Sequence, residues 1–323
     1  MGQYAKILGT GSYVPDNIVT NQDLEKLVDT SDAWIQSRTG IKERRMTVDE
    51  NTSDLAYKAA LKAIEDANIS KDEIDLIVCA TVTGDSPFPA IAQILQHRLG
   101  LKPLTAFDVN AACTGFIYAL NVADKMIQSG AYQCALIVGA ETLTKVTDFE
   151  DRNTCVLFAD AAGAMILGKS ETPKIKNVVT YAKGDHERLL AMDGYPLKKG
   201  FKTEDTKRPF ITMQGTEVFK FATHVLPSVV NELMTMNGLT EEDIKMVVAH
   251  QANQRIIDKA ARVLAFPIEK MFMNIERYGN TSAASVPLAI DEAIKTGALS
   301  KGDVFITAAF GAGLTWGGAL IEL

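Results

Sequence analysis

Leu104-Thr105-Ala106-Phe107-Asp108-Val109-Asn110 is an apolar run of strand length, and Ala111-Ala112-Cys113-Thr114-Gly115 follows it directly. Apolar residues then return at helical spacing, at Phe116, Leu120, Ala123 and Ile127. A strand, a tight turn and a helix in immediate succession are the unit of an α/β fold. The turn also sets a thiol at a helix start. Unpaired backbone N–H groups and the positive end of the helix dipole there favour thiolate over thiol, and thiolate is the nucleophilic form. Read alone, Cys113 is either that nucleophile or a small buried hydrophobe.

The other cysteines lie in apolar runs: Cys79 in residues 74–80, Cys134 in 134–139, and Cys155 at the head of 155–159. All three read as strand core. No CxxC pair or Cys/His ligand spacing occurs, so no metal site is expected. No GxGxxG loop follows a strand, which removes the usual signal for a nicotinamide cofactor. Four unpatterned cysteines indicate a reducing compartment, and hence a cytoplasmic protein. The start of the chain reads as a first strand and not as a targeting segment. The longest apolar stretches fall well short of the ~18 residues of a membrane span.

Of the 323 residues 47% are hydrophobic and 23% charged, with a net charge of −7. This is the balance of a soluble globule with a substantial core. The acidic excess, without a Lys/Arg block, argues against nucleic-acid binding. Residues 194–209 are polar and rich in chain breakers, and read as a surface loop between two halves.

Those halves repeat. The segment from Ser70 through Ile74 to Ala80 returns 170 residues later, from Thr240 through Ile244 to His250, as a polar turn, an acidic pair, an isoleucine and a buried strand. Farther on, Asp124, Ile127, Gly130 and Ala131 return at an offset of 167 as Asp291, Ile294, Gly297 and Ala298. Two α/β halves with parallel-rich sheets, covered by helices on both faces, are expected. The 167 offset carries Cys113 onto Asn280, and the 170 offset carries Ala80 onto His250. Ligands of α/β sheets bind at such strand ends. A Cys–His pair with a further polar donor is the make-up of a thiol acyl-transfer site. His97, His186 and His224 lack such neighbours and read as structural.

Six motifs in order carry a resemblance over nearly the whole chain. They begin at Gly9-Thr10-Gly11-Ser12, Thr30-Ser31-Asp32-Ala33-Trp34, Ala111-Ala112-Cys113-Thr114-Gly115, His250-Gln251-Ala252-Asn253, Tyr278-Gly279-Asn280-Thr281 and Phe310-Gly311-Ala312-Gly313. The chain resembles the β-ketoacyl-[acyl-carrier-protein] synthase III family of condensing enzymes. The resemblance implies a thiolase-like fold of two duplicated halves, 1–170 with the nucleophile and 171–323 with His and Asn, packed as a layered αβαβα unit. It implies condensation of an acyl-CoA primer with malonyl-[acyl-carrier-protein] at Cys113, His250 and Asn280, without a cofactor. A ketosynthase of secondary metabolism, of polyketide or quinolone type, shares that chemistry. Carried over residue by residue, the family pattern assigns the oxyanion hole to the backbone of Cys113 and Ala312, where many members have glycine at the latter position. It assigns CoA contacts to Thr30, Trp34, Arg38, Arg152 and Asn253, and the acyl pocket to Phe219 and to Phe88, reaching across a homodimer. It assigns carrier-protein contacts to Lys220, Gln251, Ala252, Asn253, Gln254, Arg255 and Arg262.

Overall fold

The apolar runs become strands of two mixed sheets, one from each part of the sequence. The computed structural model describes residues 3–185, 187–194 and 209–323. His186 and residues 195–208, the bulk of the expected surface loop, lie outside the described residues.

The first sheet contains β1 (Tyr4–Tyr13), β2 (Leu76–Ala80), β3 (Thr105–Val109), β4 (Cys134–Thr142) and β5 (Asp160–Ser170), in the order β1-β5-β4-β2-β3. Leu76 of β2 faces Thr105 on one side and Ala135 on the other, both in parallel ladders. Crossover helices link these strands, which is what parallel pairing requires. The second sheet contains β6 (Ile175–Ala182), β7 (Met246–Ala249), β8 (Val304–Gly311) and β9 (Thr315–Glu322), ordered β7-β8-β9-β6. It corrects the expectation of parallel-rich pairing. Only β7 and β8 run parallel there. Residues 312–314 are too few for a crossover, so β8 and β9 fold back as a hairpin.

Among the described residues seven helices are eight residues or longer: α1 (Asp32–Thr39), α2 (Thr52–Ala67), α3 (Ile91–Arg98), α4 (Gly115–Gln128), α5 (Gly215–Asn237), α6 (Gln254–Leu264) and α7 (Ser285–Lys295). Helices α2 and α3 bury Leu55, Ala59 and Leu95 against Ile77, Leu136 and Ile166 of the first sheet. Helices α5 and α6 bury Leu226, Val230 and Ile257 against Val247, Ile306 and Leu320 of the second. Between the sheets, Phe116 and Leu120 of α4 and Val286 and Ile290 of α7 share one core with Val78 and Phe305. The order of layers is therefore α, β, α, β, α.

The repeat is visible in the backbone, with a corrected register. Ala112 and Ser282, 170 apart, adopt the left-handed conformation, with φ of 47° and 49°. Each opens a one-turn 3-10 helix, Ala112–Thr114 and Ser282–Ala284. Two residues before each stands an asparagine whose side-chain oxygen accepts from the backbone N–H of that left-handed residue: Asn110 from Ala112 at 3.3 Å, and Asn280 from Ser282 at 2.9 Å. Asn280 therefore corresponds to Asn110, and Cys113 to Ala283. The 167 offset arises only farther along, because α4 has 14 residues and α7 has 11. Deleting about one helical turn keeps the buried face in phase, which is why both offsets looked valid.

Cys155 also departs from its strand reading. Asp151 caps a short helix, Arg152–Cys155, by accepting from the Asn153 N–H at 3.0 Å. The buried Arg44 guanidinium donates to the Val156 carbonyl at 3.0 Å and fixes the segment that follows.

Candidate active site

Cys113 is buried in the turn between β3 and α4. The end of β8 lies directly against it. A Cβ on Gly311 would stand 2.8 Å from the Cys113 nitrogen, so only glycine permits this approach. Thr315, at the start of β9, donates to the carbonyls of Ala111 and Ala312, both at 3.0 Å. The Thr114 hydroxyl returns a bond to the Thr315 carbonyl at 3.2 Å. These bonds tie the Ala312 loop to the Cys113 turn.

His250 follows the last residue of β7 and is 1% exposed. Its N–H donates to the Ala308 carbonyl at 2.8 Å, and its ring meets the Phe310 ring edge-on at 5.3 Å between centroids. Nδ1 lies 2.5 Å from the Ser285 hydroxyl at the start of α7. Ring Nε2 is thereby left for chemistry. Asn280 is also buried. Its N–H donates to the Leu157 carbonyl and its own carbonyl accepts from the Ala159 N–H, both at 2.9 Å. Because Oδ1 is taken by Ser282, the donor end of the amide is left for the site.

Cys113, His250 and Asn280 line one cavity, together with Phe158, Phe219 and Phe310. A second cavity adjoins Cys113 and is walled by Val82, Leu143, Met192 and Ile211, with Ala312 and Ser282 beside the cysteine. A thiol, an imidazole and an amide donor in a largely apolar cleft, with a second cavity opening beside the thiol, suit thioester exchange.

Burial dominates the electrostatics. It pushes the Cys113 thiol up to about 12, against a smaller opposing contribution from a hydrogen bond with Ser282. The expectation that a helix start alone yields thiolate is thus corrected, because desolvation outweighs it at this depth. Burial also pushes His250 down to about 3, so its imidazole is neutral and can accept a proton. Cys79, Cys134 and Cys155 are buried too, and burial raises each of their thiols as well. Depth does not distinguish Cys113 from them; its cavities and partners do.

Outside this centre the expected residues divide. The Arg152 guanidinium lies 5.0 Å over the Trp34 ring and donates to the Asp29 carbonyl at 2.7 Å, beside Thr30, whose buried hydroxyl has no partner. Asn253 caps α6 by accepting from Arg255 at 2.9 Å and donates to the Arg38 carbonyl at 3.0 Å, joining α1 to α6. Arg255 and Arg262 are exposed on α6, with Arg255 5.4 Å over the Phe219 ring. Lys220 is exposed and ion-paired with Glu217 at 2.7 Å. Gln254 packs against Gly40, and Ala252 lines the first cavity. Gln251 is 1% exposed. Its amide donates to the carbonyls of Ala249 and Phe272 and accepts from the Asn274 N–H. That buried bonding removes Gln251 as a surface contact for a carrier protein. Phe219 walls the first cavity and not the second, and Phe88, 85% exposed, lines neither.

Sequence reasoning missed Ser285, which only the third dimension brings to His250. It also missed Gly311 and Lys259. The last was findable, since it lies between Arg255 and Arg262 on one helix face.

Residues 107–184 match the family model of 3-oxoacyl-[acyl-carrier-protein (ACP)] synthase III, and residues 234–323 match that of its C-terminal part. A β-ketoacyl-[acyl-carrier-protein] synthase III of Alkalilimnicola ehrlichii is 48% identical over 321 residues, spanning 99% of each chain. Among solved structures, 3-oxoacyl-[acyl-carrier-protein] synthase III from Aquifex aeolicus superposes with a TM-score of 0.92 at 46% identity, over 99% of this chain and 100% of that one. The priming β-ketosynthase from the R1128 polyketide pathway gives 0.94 at 35% identity, over 100% and 97%. The layered arrangement of this chain is the thiolase-like fold expected from its sequence.

Proposed function

Because the chain belongs to the β-ketoacyl-[acyl-carrier-protein] synthase III family, we propose that Cys113, His250 and Asn280 carry out its condensation of a short acyl-CoA with malonyl-[acyl-carrier-protein]. It is an acyltransferase, and the reaction initiates fatty-acid synthesis. The observation that carries the assignment is the meeting of these three side chains in one cavity, Cys113 from the turn after β3, His250 from the end of β7 and Asn280 from the loop that leads to α7.

Cys113 attacks the acyl-CoA carbonyl. Its proton passes to neutral His250 as the carbon–sulfur bond forms, and from there to the departing CoA thiolate. The acyl chain occupies the apolar chamber around Leu143 and Ile211. The backbone N–H groups of Cys113 and Ala312 receive the tetrahedral oxyanion, each donor worth a few kcal/mol. Malonyl-[acyl-carrier-protein] then enters the cleft. As its carboxylate leaves as carbon dioxide, His250 Nε2–H and the Asn280 amide donate to the thioester oxygen and hold the enolate. The carbanion attacks the acyl group on Cys113, releases the sulfur as thiolate, and forms the β-ketoacyl product. His250 accepts a proton in the first half and donates a hydrogen bond in the second. A hydroxyl both donates and accepts, so Ser285 at 2.5 Å from Nδ1 serves either tautomer.

Substrate activation resides in the thioester, and no cofactor enters this scheme. Trp34 and Arg152 would clasp the adenine of CoA, with Thr30, Arg38 and Asn253 at the same rim. Arg255, Lys259 and Arg262 would receive the acidic carrier protein, aided by Lys220. We read residues 1–170 and 171–323 as the two halves, a division supported by the separate sheets. Phe88 is read as completing the acyl chamber of a second copy in a homodimer; its exposure supports that role. A cytoplasmic setting fits four unpaired cysteines. Among the described residues no helix is long and apolar enough to cross a membrane.

The test offers purified protein a panel of acyl-CoAs with malonyl-[acyl-carrier-protein] or malonyl-CoA, and identifies products and the acylated residue by mass. Acylation of Cys113 and a β-ketoacyl carrier-protein product are expected. Acyl label on another cysteine would overturn the site assignment. Products formed only from malonyl-CoA would favour a ketosynthase of secondary metabolism.

A further inference from the structure

Arg44 has no solvent exposure, and the acceptors of its guanidinium are all uncharged. Nη1 donates to the Val19 carbonyl at 3.3 Å, and Nη2 to Asn21 Oδ1 at 2.8 Å and to the Val156 carbonyl at 3.0 Å. The neighbouring Glu43 pairs with Arg45 at 3.1 Å instead. Nε is buried without an acceptor. A buried cation held by no anion is costly, and the condensation as described gives it no part. What a guanidinium offers there is a rigid fork that reaches acceptors in separate segments at once.

Those segments converge on Asn280. Val156 stands one residue before Leu157, whose carbonyl accepts from the Asn280 N–H. The Ala159 N–H donates back to the Asn280 carbonyl, so Phe158 and Asn280 pair as a parallel bridge, and both line the cavity beside Cys113. The other side of that bridge is held from the same place. Glu43–Arg45 pairs with Ile18–Thr20 in a short ribbon, and the Lys42 N–H just before it donates to the Glu276 carbonyl at 3.0 Å. Gly279, at φ 64°, leaves room for the arginine stem. A Cβ there would stand 3.0 Å from the Leu157 carbonyl oxygen and 3.3 Å from the Arg44 Cβ. Arg44 thus meets both sides of the bridge, Val156 through its fork and Gly279 through its stem. The Cys113 turn is tied to Thr315, and His250 to Ala308 and Ser285, without it.

We propose that Arg44 is a positioning residue for Asn280. By holding Val156 it fixes the bridge that sets the Asn280 backbone, and so the place of the amide donor as the enolate forms. The proposal rests on the reading of Asn280 as that donor. A misplacement of about 1 Å at such a group can cost roughly 100-fold in rate. Acylation of Cys113 does not use the amide, so loss of Arg44 falls on decarboxylation.

The experiment measures two rates in wild type, Arg44→Met, Arg44→Lys and Asn280→Ala. One is acetylation of Cys113 by acetyl-CoA, read by intact mass; the other is release of labelled carbon dioxide from malonyl-[acyl-carrier-protein]. Arg44→Met should lose about tenfold or more in decarboxylation. Arg44→Lys should lose about fivefold, because an ammonium lacks the fork that holds Asn21 and Val156 together. Both should acetylate Cys113 within about twofold of wild type. Added to Asn280→Ala, Arg44→Lys should cause no further loss of decarboxylation, as residues acting through one group require. A role in stability alone would lower the melting temperature, slow both reactions alike and add its loss to that of Asn280→Ala. Equal losses in the two reactions, a full further loss on top of Asn280→Ala, or wild-type decarboxylation in Arg44→Lys would each overturn the proposal. Wild-type decarboxylation in Asn280→Ala would overturn the donor reading, and the proposal with it, which separates the two failures. Arg44→Lys decides the matter if Arg44→Met does not fold.

Discussion

Replacing Gly311 with alanine should cripple the nucleophile without replacing a catalytic residue. The added methyl would stand 2.8 Å from the Cys113 nitrogen and 3.2 Å from both the Cys113 Cβ and the Thr114 nitrogen. Ordinary contact begins near 3.4 Å, so the two backbones must part by about 0.6 Å. Neither yields easily. Gly311 pairs with Thr315 in the β8–β9 hairpin, and Thr315 is bonded to Ala111 and Thr114 on the other side of the clash. A misplacement of about 1 Å can cost roughly 100-fold in rate, and overpacking costs about 1–3 kcal/mol. We expect acylation by acetyl-CoA, followed by intact mass, to slow by about tenfold or more, with a lower melting temperature. The acetyl-CoA KM should change little, because neither Trp34 nor Arg152 lines the two cavities that reach Cys113. Gly184→Ala, where a methyl meets nothing within 4 Å, is the control. Wild-type acylation and an unchanged melting temperature in Gly311→Ala would refute the steric reasoning.

Asn280→Ala should abolish condensation while acyl-Cys113 still forms within about tenfold of the wild-type rate, since an amide donor is needed only for the enolate. His250→Ala should slow both halves by about 10²-fold or more, because a thiol held near 12 needs a proton acceptor; equal acylation losses in the two variants would contradict this division. His250 is depressed from 6.5 to about 3, so below pH 6.5 the unfolded chain binds a proton that the folded one refuses. Stability should therefore fall by about 1.4 kcal/mol per pH unit from this group alone between those values. Urea denaturation of His250→Gln should be shallower in pH by that amount, and matching slopes would discard the idea. Arg255→Glu with Lys259→Glu should raise the KM for malonyl-[acyl-carrier-protein] about tenfold and leave malonyl-CoA unaffected, with the difference fading in high salt. Equal effects on both substrates would argue against a carrier-protein surface.

The strand, turn and helix around Cys113 were legible because their apolar spacing is set by local geometry, and the duplicated strands leading to Ala80 and His250 were legible for the same reason. The register between the halves was not. Loss of one helical turn leaves the buried face in phase, so spacing cannot say where the residues were lost. Cys155-Val156-Leu157-Phe158 has strand composition, yet the Asp151 cap and the Arg44 bond to the Val156 carbonyl override it. Gln251 sits in a motif that reads as exposed, and its burial depends on the distant carbonyl of Phe272. Ser285 matters through its contact with His250, 35 residues away in sequence, which no periodicity records.

The helices behind the two matched turns have a consequence for how the protein comes apart. Helix α4 begins directly after the Cys113 turn and α7 directly after the Ser282 turn, and both are packed into the one core shared by the two sheets. Most proteins bring their reactive groups out on loops that breathe separately from the interior. Here the reactive thiol has no such private door. Amide protons along α4 and α7 should exchange only in the rarest global openings, and Cys113 should outlast the exposed segment at Phe88 as heat loosens the molecule.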